Sequence, residues 1–373
     1  MRDAPSFEAT KALPASAYTS TDVTDQEAQT LFRTYWFCVG RADMVADKGA
    51  YTALDIAGQS IILLRDRENT LRAFANACRH RGARLVDGQG RCTGLRCPFH
   101  SWMFHLDGRL AAAPHMEEAD GFSKDDHALI PYRVAERLGF VFLCLNSDAP
   151  DIDAQLGNFA PLHADWPLAG LKTLRRREME VACNWKAFLE VFNEYYHLPF
   201  VHPDTVDAIY GRPDPGDVVT GAFATQFGST EGTGGLLQTE QDKALPPMPG
   251  LTGRATHGVR YSWIFPNMTF AASSDAMWCY EAYPLGPDRC HVVQTSCFPP
   301  ETLAADGNED KLNAYLDRLD AAIDEDIPAL ENQQRGLTCA EAAPGLLHPL
   351  LESNVASFAR WYRTTLTTDR SPT

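Results

Sequence analysis

The chain has 373 residues, 45% of them hydrophobic and 10% aromatic, with a formal net charge of −16. That length allows two domains and a large core, and the acidic balance speaks against nucleic acid or an anionic membrane surface as a partner. No run approaches a membrane span, no charged-then-apolar leader opens the chain, and ten cysteines in that setting point to a reducing cytoplasm, where they act as ligands or buried thiols.

Residues 1 to about 28 read as a polar arm containing Pro5 and Pro14, with a helix over Asp25–Tyr35. From Trp36 to Asn146 the pattern is β. Apolar runs at Gln59–Leu64, Leu71–Asn76 and Phe140–Leu145 are split by the turn signals Asp87-Gly88 and Asp107-Gly108. Inside this module lie Cys78-Arg-His80 and, after sixteen intervening residues, Cys97-Pro-Phe-His100. Two cysteines and two histidines in paired loops could hold zinc or a [2Fe–2S] cluster. A zinc finger groups its cysteines in one loop and its histidines in another. Here each loop supplies one of each, as a Rieske centre requires: thiolates on one iron, imidazoles on the other. Seven arginines (72, 79, 81, 84, 91, 96 and 109) lie in the same stretch, opposed by Asp87 and Asp107 alone. They form either a basic collar for an acidic electron donor or ion pairs with carboxylates across a subunit interface.

Asn184 to Pro203 reads as an amphipathic helix. Trp185, Phe188, Leu189 and Phe192 fall on one face; Glu190, Glu194 and His197 fall on another. Pro199 is expected to end it. A break between His197 and His202 lets both rings turn to one point, and two imidazoles beside carboxylates suit iron(II) with positions open to dioxygen. The bland alternative is a core helix followed by two unrelated histidines. The Gly-, Pro- and Thr-rich tract from Gly211 to Thr256 is expected to be a loop roofing a pocket. Strands are expected at Arg260–Phe265, Thr269–Ala272, Met277–Tyr283 and Cys290–Phe298, their aromatics mostly core, with one or two lining a cavity. A helix over Asp310–Asp324 and a final one marked by Leu351, Val355, Phe358 and Tyr362 follow.

Together, the cysteine–histidine loops and Glu194-x-x-His197-x-x-x-x-His202 make the chain resemble the oxygenase component of a Rieske non-haem iron oxygenase. Asn76-Ala-Cys-Arg-His-Arg-Gly-Ala resembles one cluster loop and Cys97-Pro-Phe-His-Ser-Trp-Met-Phe the other, with Ser101 where the family usually has glycine. Leu106-Asp-Gly-Arg-Leu, Asn184-Trp-Lys, Pro284-Leu-Gly-Pro-Asp-Arg and Gln334-Arg-Gly-Leu extend the likeness over nearly the whole chain. The resemblance implies an α+β chain: an arm and helix (1–35), an all-β Rieske domain (36–154), and a helix-backed antiparallel sheet of the helix-grip type (155–373). It implies a [2Fe–2S] cluster on Cys78, His80, Cys97 and His100, and mononuclear iron on His197, His202 and Asp326. Asp324, Glu325 and Glu331 are nearby alternatives to Asp326 that solvated helix charges explain more simply. It implies that Glu194 links an iron histidine to a cluster histidine of the next subunit in a homotrimer, and that a separate ferredoxin or NAD(P)H reductase supplies electrons. The expected reaction is monooxygenation by O2 of a small molecule at a C–H next to a heteroatom, foremost N-dealkylation of an anilide-type xenobiotic. Glu at position 194, where the family usually has Asp, resembles the branch acting on quaternary ammonium compounds such as carnitine and betaines; that is the alternative substrate class. A cluster-bearing electron-transfer or ligand-binding protein without oxygen chemistry is the alternative of another class.

Overall fold

The computed structural model describes residues 10–368; the start of the expected arm, with Pro5, lies outside the described residues. The chain divides into two compact units, one of Phe32–Ala149, the other of the segment before it together with Pro150 onward. Among the described residues, no helix is long and apolar enough to cross a membrane. The expected N-terminal helix runs over Thr21–Thr34 (α1).

The Phe32–Ala149 unit carries strands β1 (Phe37–Arg41), β2 (Ala50–Ile56), β3 (Gln59–Arg65), β4 (Leu71–Ala75), β5 (Gln89–Arg91), β6 (Leu95–Arg96), β7 (Met103–Phe104), β8 (Leu110–Ala112), β9 (Pro131–Arg137) and β10 (Phe140–Cys144). Seven form one sheet in the order β1-β10-β9-β4-β3-β2-β5, and β6-β7-β8 form a small second one. The runs Ile61–Leu64 and Phe140–Cys144 are buried throughout, as continuous apolar strands inside a sheet should be. The small sheet holds one cluster loop between β6 and β7.

The other unit is built on a six-stranded antiparallel sheet. Its strands are β11 (Lys172–Val181), β12 (Phe223–Ser229), β13 (Gly258–Ile264), β14 (Met268–Ala272), β15 (Met277–Pro284) and β16 (Cys290–Phe298), in the order β11-β16-β15-β14-β13-β12. The four expected strands are present within a few residues of their limits. The two edge strands were not legible. β11 reads Lys-Thr-Leu-Arg-Arg-Arg-Glu-Met-Glu-Val, too charged to signal a strand, yet its ladder with β16 runs from Lys172↔Phe298 to Val181↔Cys290. β12 lies inside the tract expected to roof a pocket. It pairs with β13 from Phe223↔Ile264 to Ser229↔Gly258 and is buried over its first six residues. The roof expectation is therefore corrected: the middle of the tract is sheet.

The helices differ from expectation in two places. The helix opened by the Asn184 side chain, which accepts from Lys186 N–H, covers only Trp185–Phe192 (α2). Buried Asn193 ends it, donating its amide to Leu189 O at 2.7 Å and Thr269 Oγ1 at 2.9 Å. Tyr195 N–H then bonds Leu351 O at 2.8 Å rather than the preceding turn. Glu194 and His197 are thus off the helix, and Pro199 opens a short second one, Leu198–Val201 (α3), instead of ending the first. Proline near a helix start loses nothing, since that N–H has no partner inside the helix. The helix expected to stop at Asp324 instead runs from Glu309 to Leu337 (α4), through Pro328. Buried Leu312, Tyr315, Leu319, Ile323 and Leu330 hold it across the proline, because packing outweighs the one hydrogen bond lost. The last helix is Ser353–Thr368 (α5).

Candidate functional site

α3 is one turn long, with His197 before it and His202 after it. A single turn between residues five apart brings the two rings to one place: their centroids are 5.0 Å apart at 71°. Asp326 of α4 completes the group, its Oδ1 lying 3.0 Å from His202 Nε2 and 3.5 Å from His197 Nε2. One ligand atom from each of the three lies within 4.8 Å of the others, the sole such trio found among the described residues. Asp324 is not part of it. Asp326 Oδ1 is buried without a hydrogen-bond partner, which is costly for a carboxylate oxygen and is what a cation at this point would resolve.

The outward ring nitrogens are answered too. His202 Nδ1 meets Glu325 Oε2 at 2.6 Å, and the Thr205 hydroxyl donates to the same oxygen at 2.6 Å. Glu325 is therefore not a solvated helix charge; it fixes the tautomer that turns Nε2 inward. His197 Nδ1 contacts Glu194 Oε1, while Glu194 Oε2 accepts from the backbone N–H groups of Tyr196 and His197. The Glu194 contact to an iron-site histidine is the one the family resemblance implied; the Glu325 contact was not readable from the sequence, where Glu325 passed for a solvated helix charge. The trio lines a pocket together with Phe188, Phe192, Tyr195, Tyr261 and Tyr280. Two of the aromatics expected in the sheet thus face the cavity, while Trp263, Phe265, Phe270 and Trp278 are core.

In the all-β unit, Cys78 and Cys97 are buried and His80 and His100 exposed. The imidazoles sit 4.7 Å apart, edge to face, and His80 stacks on Trp102 at 5.0 Å. Each loop is closed by its own backbone bonds: Cys78 N–H to Ala83 O at 2.8 Å, Cys97 N–H to Trp102 O at 2.8 Å. Inner thiols and outer imidazoles suit a cluster with one sulfur-bound iron and one near the surface. Ser101 has φ of 62°, the left-handed region where glycine is at ease. Its hydroxyl accepts from Arg96 at 3.0 Å. Of the seven arginines, four pair with carboxylates of their own unit: Arg72 with Asp66, Arg84 with Asp55 and Asp87, Arg91 with Asp47, Arg109 with Asp107. Among the described residues, Arg79, Arg81 and Arg96, which flank the cluster loops, have no such pair.

Residues 35–130 match the model of the Rieske [2Fe-2S] domain, and residues 168–368 that of the ring hydroxylating alpha subunit (catalytic domain). The chain belongs to the ring-hydroxylating alpha-subunit family of Rieske oxygenases. As a family member it carries a Rieske cluster and a mononuclear iron, takes electrons from a separate reductase or ferredoxin, and works as a multimer. It is 27% identical over 331 residues to the carnitine monooxygenase oxygenase subunit of Acinetobacter baumannii, covering 87% of this chain and 84% of that one. With the glycine betaine monooxygenase oxygenase subunit of Chromohalobacter salexigens it shares 27% over 384 residues, 95% and 85% of the two chains. The fold is that of a solved quaternary ammonium Rieske monooxygenase in complex with L-carnitine: TM-score 0.80, 24% identity, 95% of each chain covered.

Proposed function

We propose that this terminal oxygenase hydroxylates the carbon next to a quaternary nitrogen. The carrying observation is the pocket wall of Phe188, Phe192, Tyr195, Tyr261 and Tyr280 beside His197, His202 and Asp326. Ring faces attract an alkylammonium that cannot hydrogen-bond. The carnitine and glycine betaine relatives support this class over the anilide-type N-dealkylation that the sequence first suggested.

We assign His197, His202 and Asp326 as the iron ligands, and Cys78, His80, Cys97 and His100 as those of the cluster. When bound, the cluster supplies single electrons and the iron the place where dioxygen is reduced. The protein's own groups do the rest. Glu194 and Glu325 hold the Nδ1 protons of the two histidines, so that both Nε2 atoms face inward. The aromatic walls hold the ammonium with an N-alkyl carbon toward the trio and keep water out. Hydroxylation there gives a carbinol that releases an aldehyde and a tertiary amine. Glu194 keeps lone pairs beyond its contacts with His197 and the Tyr196 N–H, and in this reading they accept from a cluster histidine of a neighbouring copy in a homotrimeric ring. Arg79, Arg81 and Arg96 offer an acidic donor a basic approach to the cluster.

The test is the reconstituted system with NADH, offered trimethylammonium compounds and N-alkyl anilides, with aldehyde and amine measured by mass spectrometry. Aldehyde and tertiary amine from the ammonium compounds are expected. Turnover of anilides alone would overturn the assignment.

A further inference from the structure

One side chain of the pocket is out of keeping with a site for a simple cation. Arg318 of α4 lines the same cavity and is only 3% exposed. Its Nε is buried without a partner, and Nη2 donates to the Tyr210 hydroxyl at 3.4 Å. The guanidinium also lies over the Trp278 ring at 5.1 Å. Its polar surroundings are the phenols of Tyr210, Tyr261 and Tyr280, and among the described residues it forms no ion pair with a carboxylate, whereas Asp320 two residues on pairs with Arg175 and Arg177. The other buried arginine of this unit, Arg260, has Asp217 at 2.6 Å. A buried guanidinium without a counter-ion is costly to keep, and a planar fork of donors matches a carboxylate.

The helix places this charge in register with the metal trio. Arg318, Ala322 and Asp326 succeed one another at four-residue steps, so they stack on one face of α4, and all three line the cavity. Ala322, the small residue between them, leaves the face open. Eight residues of helix rise about 12 Å, room for a small organic molecule between the guanidinium and the trio.

We propose that the substrate is a zwitterion: its carboxylate is bound by Arg318, and its N-alkyl carbon is directed at the His197–His202–Asp326 group. The inference rests on the quaternary-nitrogen reading for the nature of the cation and adds what that reading leaves open. A lone cation such as choline would meet Arg318 as a like charge, whereas a carboxylated ammonium satisfies both ends. Arg318 is then the specificity residue that separates betaine-type acids from their esters and alcohols.

The experiment is calorimetric titration of the purified, metal-loaded chain with matched pairs. One pair is 4-trimethylammoniobutanoate and its methyl ester; the other, with a neutral nitrogen, is N-acetyl-N-methylglycine and its methyl ester. The acid of the first pair should bind at least about tenfold more tightly than its ester, the scale of a charge-assisted hydrogen bond. Arg318→Gln should erase that ratio and Arg318→Lys keep part of it, with cluster absorbance and far-UV circular dichroism unchanged. Equal binding of acid and ester by the wild type, or an undiminished ratio in a folded Arg318→Gln variant, overturns the proposal. The wild-type ratio decides alone if the variant does not fold. Quaternary compounds bound without regard to the carboxylate would remove the role of Arg318 and leave the proposed function standing. An acid preference confined to the neutral pair would keep the anion site and remove the quaternary nitrogen.

Discussion

Lys186→Met should be among the most damaging substitutions outside the metal centres. The Lys186 ammonium meets Glu27 Oε1 at 2.6 Å, with both side chains fully buried. Trp185 Nε1 donates to the other Glu27 oxygen at 2.8 Å, and the Tyr362 hydroxyl to the first. The ammonium is ringed by Trp185 at 4.9 Å, Tyr18 at 5.4 Å and Tyr362 at 5.5 Å. Removing the lysine leaves a buried carboxylate with two neutral donors and no cation. Breaking such a pair costs about 3–5 kcal/mol. Lys186→Met should therefore cost about 3 kcal/mol at pH 7, roughly a 10 °C fall in unfolding midpoint for a unit this large. The double variant Glu27→Gln/Lys186→Met strands no charge and should lie within about 1 kcal/mol of the wild type. Thermal and urea melts followed by circular dichroism measure all four corners of the cycle. A Lys186→Met protein as stable as the wild type at pH 7, or a double variant whose loss is the sum of the single ones, would refute the reasoning.

Glu190 lines a cavity of about 300 Å³, and burial pushes its carboxyl up to about 7 although the Tyr18 hydroxyl and Lys186 pull it down. Since the folded protein holds this proton more tightly than the unfolded chain, stability falls as pH rises from about 4.5 to about 7. Glu190→Gln should remove that slope and gain up to about 3 kcal/mol at pH 8; parallel pH profiles for variant and wild type would contradict this. Cys97→Ser should bleach the red-brown colour of the protein and lower its iron content from about three per chain, and an unchanged visible spectrum would exclude the assigned loop. Asp326→Ala should lose mononuclear iron by metal analysis and keep the cluster spectrum, whereas Asp324→Ala should keep both; the reverse pattern would move the ligand. Glu194→Ala should retain both metals and the assembly yet slow iron reduction by orders of magnitude in single-turnover kinetics, with Glu194→Asp partly active; a normal rate in the alanine variant would exclude the link.

Much of the chemistry could be read from residue types and spacing because it depends on few residues close in the chain. One cysteine and one histidine in each of two loops already imply a cluster with unlike irons, and a turn between two histidines already implies converging rings. The four inner strands of the large sheet were legible for a similar reason: their burial leaves an apolar signature. The edge strands were not. Lys172–Val181 gains its order from β16 and from Asp320, which holds Arg175 and Arg177, and Phe223–Ser229 from β13; neither partner is near in sequence. Likewise, only the folded chain puts Glu325 behind His202, ends α2 at Asn193 through Thr269, and leaves Arg318 without a carboxylate. A partner distant along the chain, 76 residues for Asn193–Thr269 and 123 for His202–Glu325, is a property of packing, so these features were decided by the tertiary structure, while the identity of the redox centres was already set by the sequence.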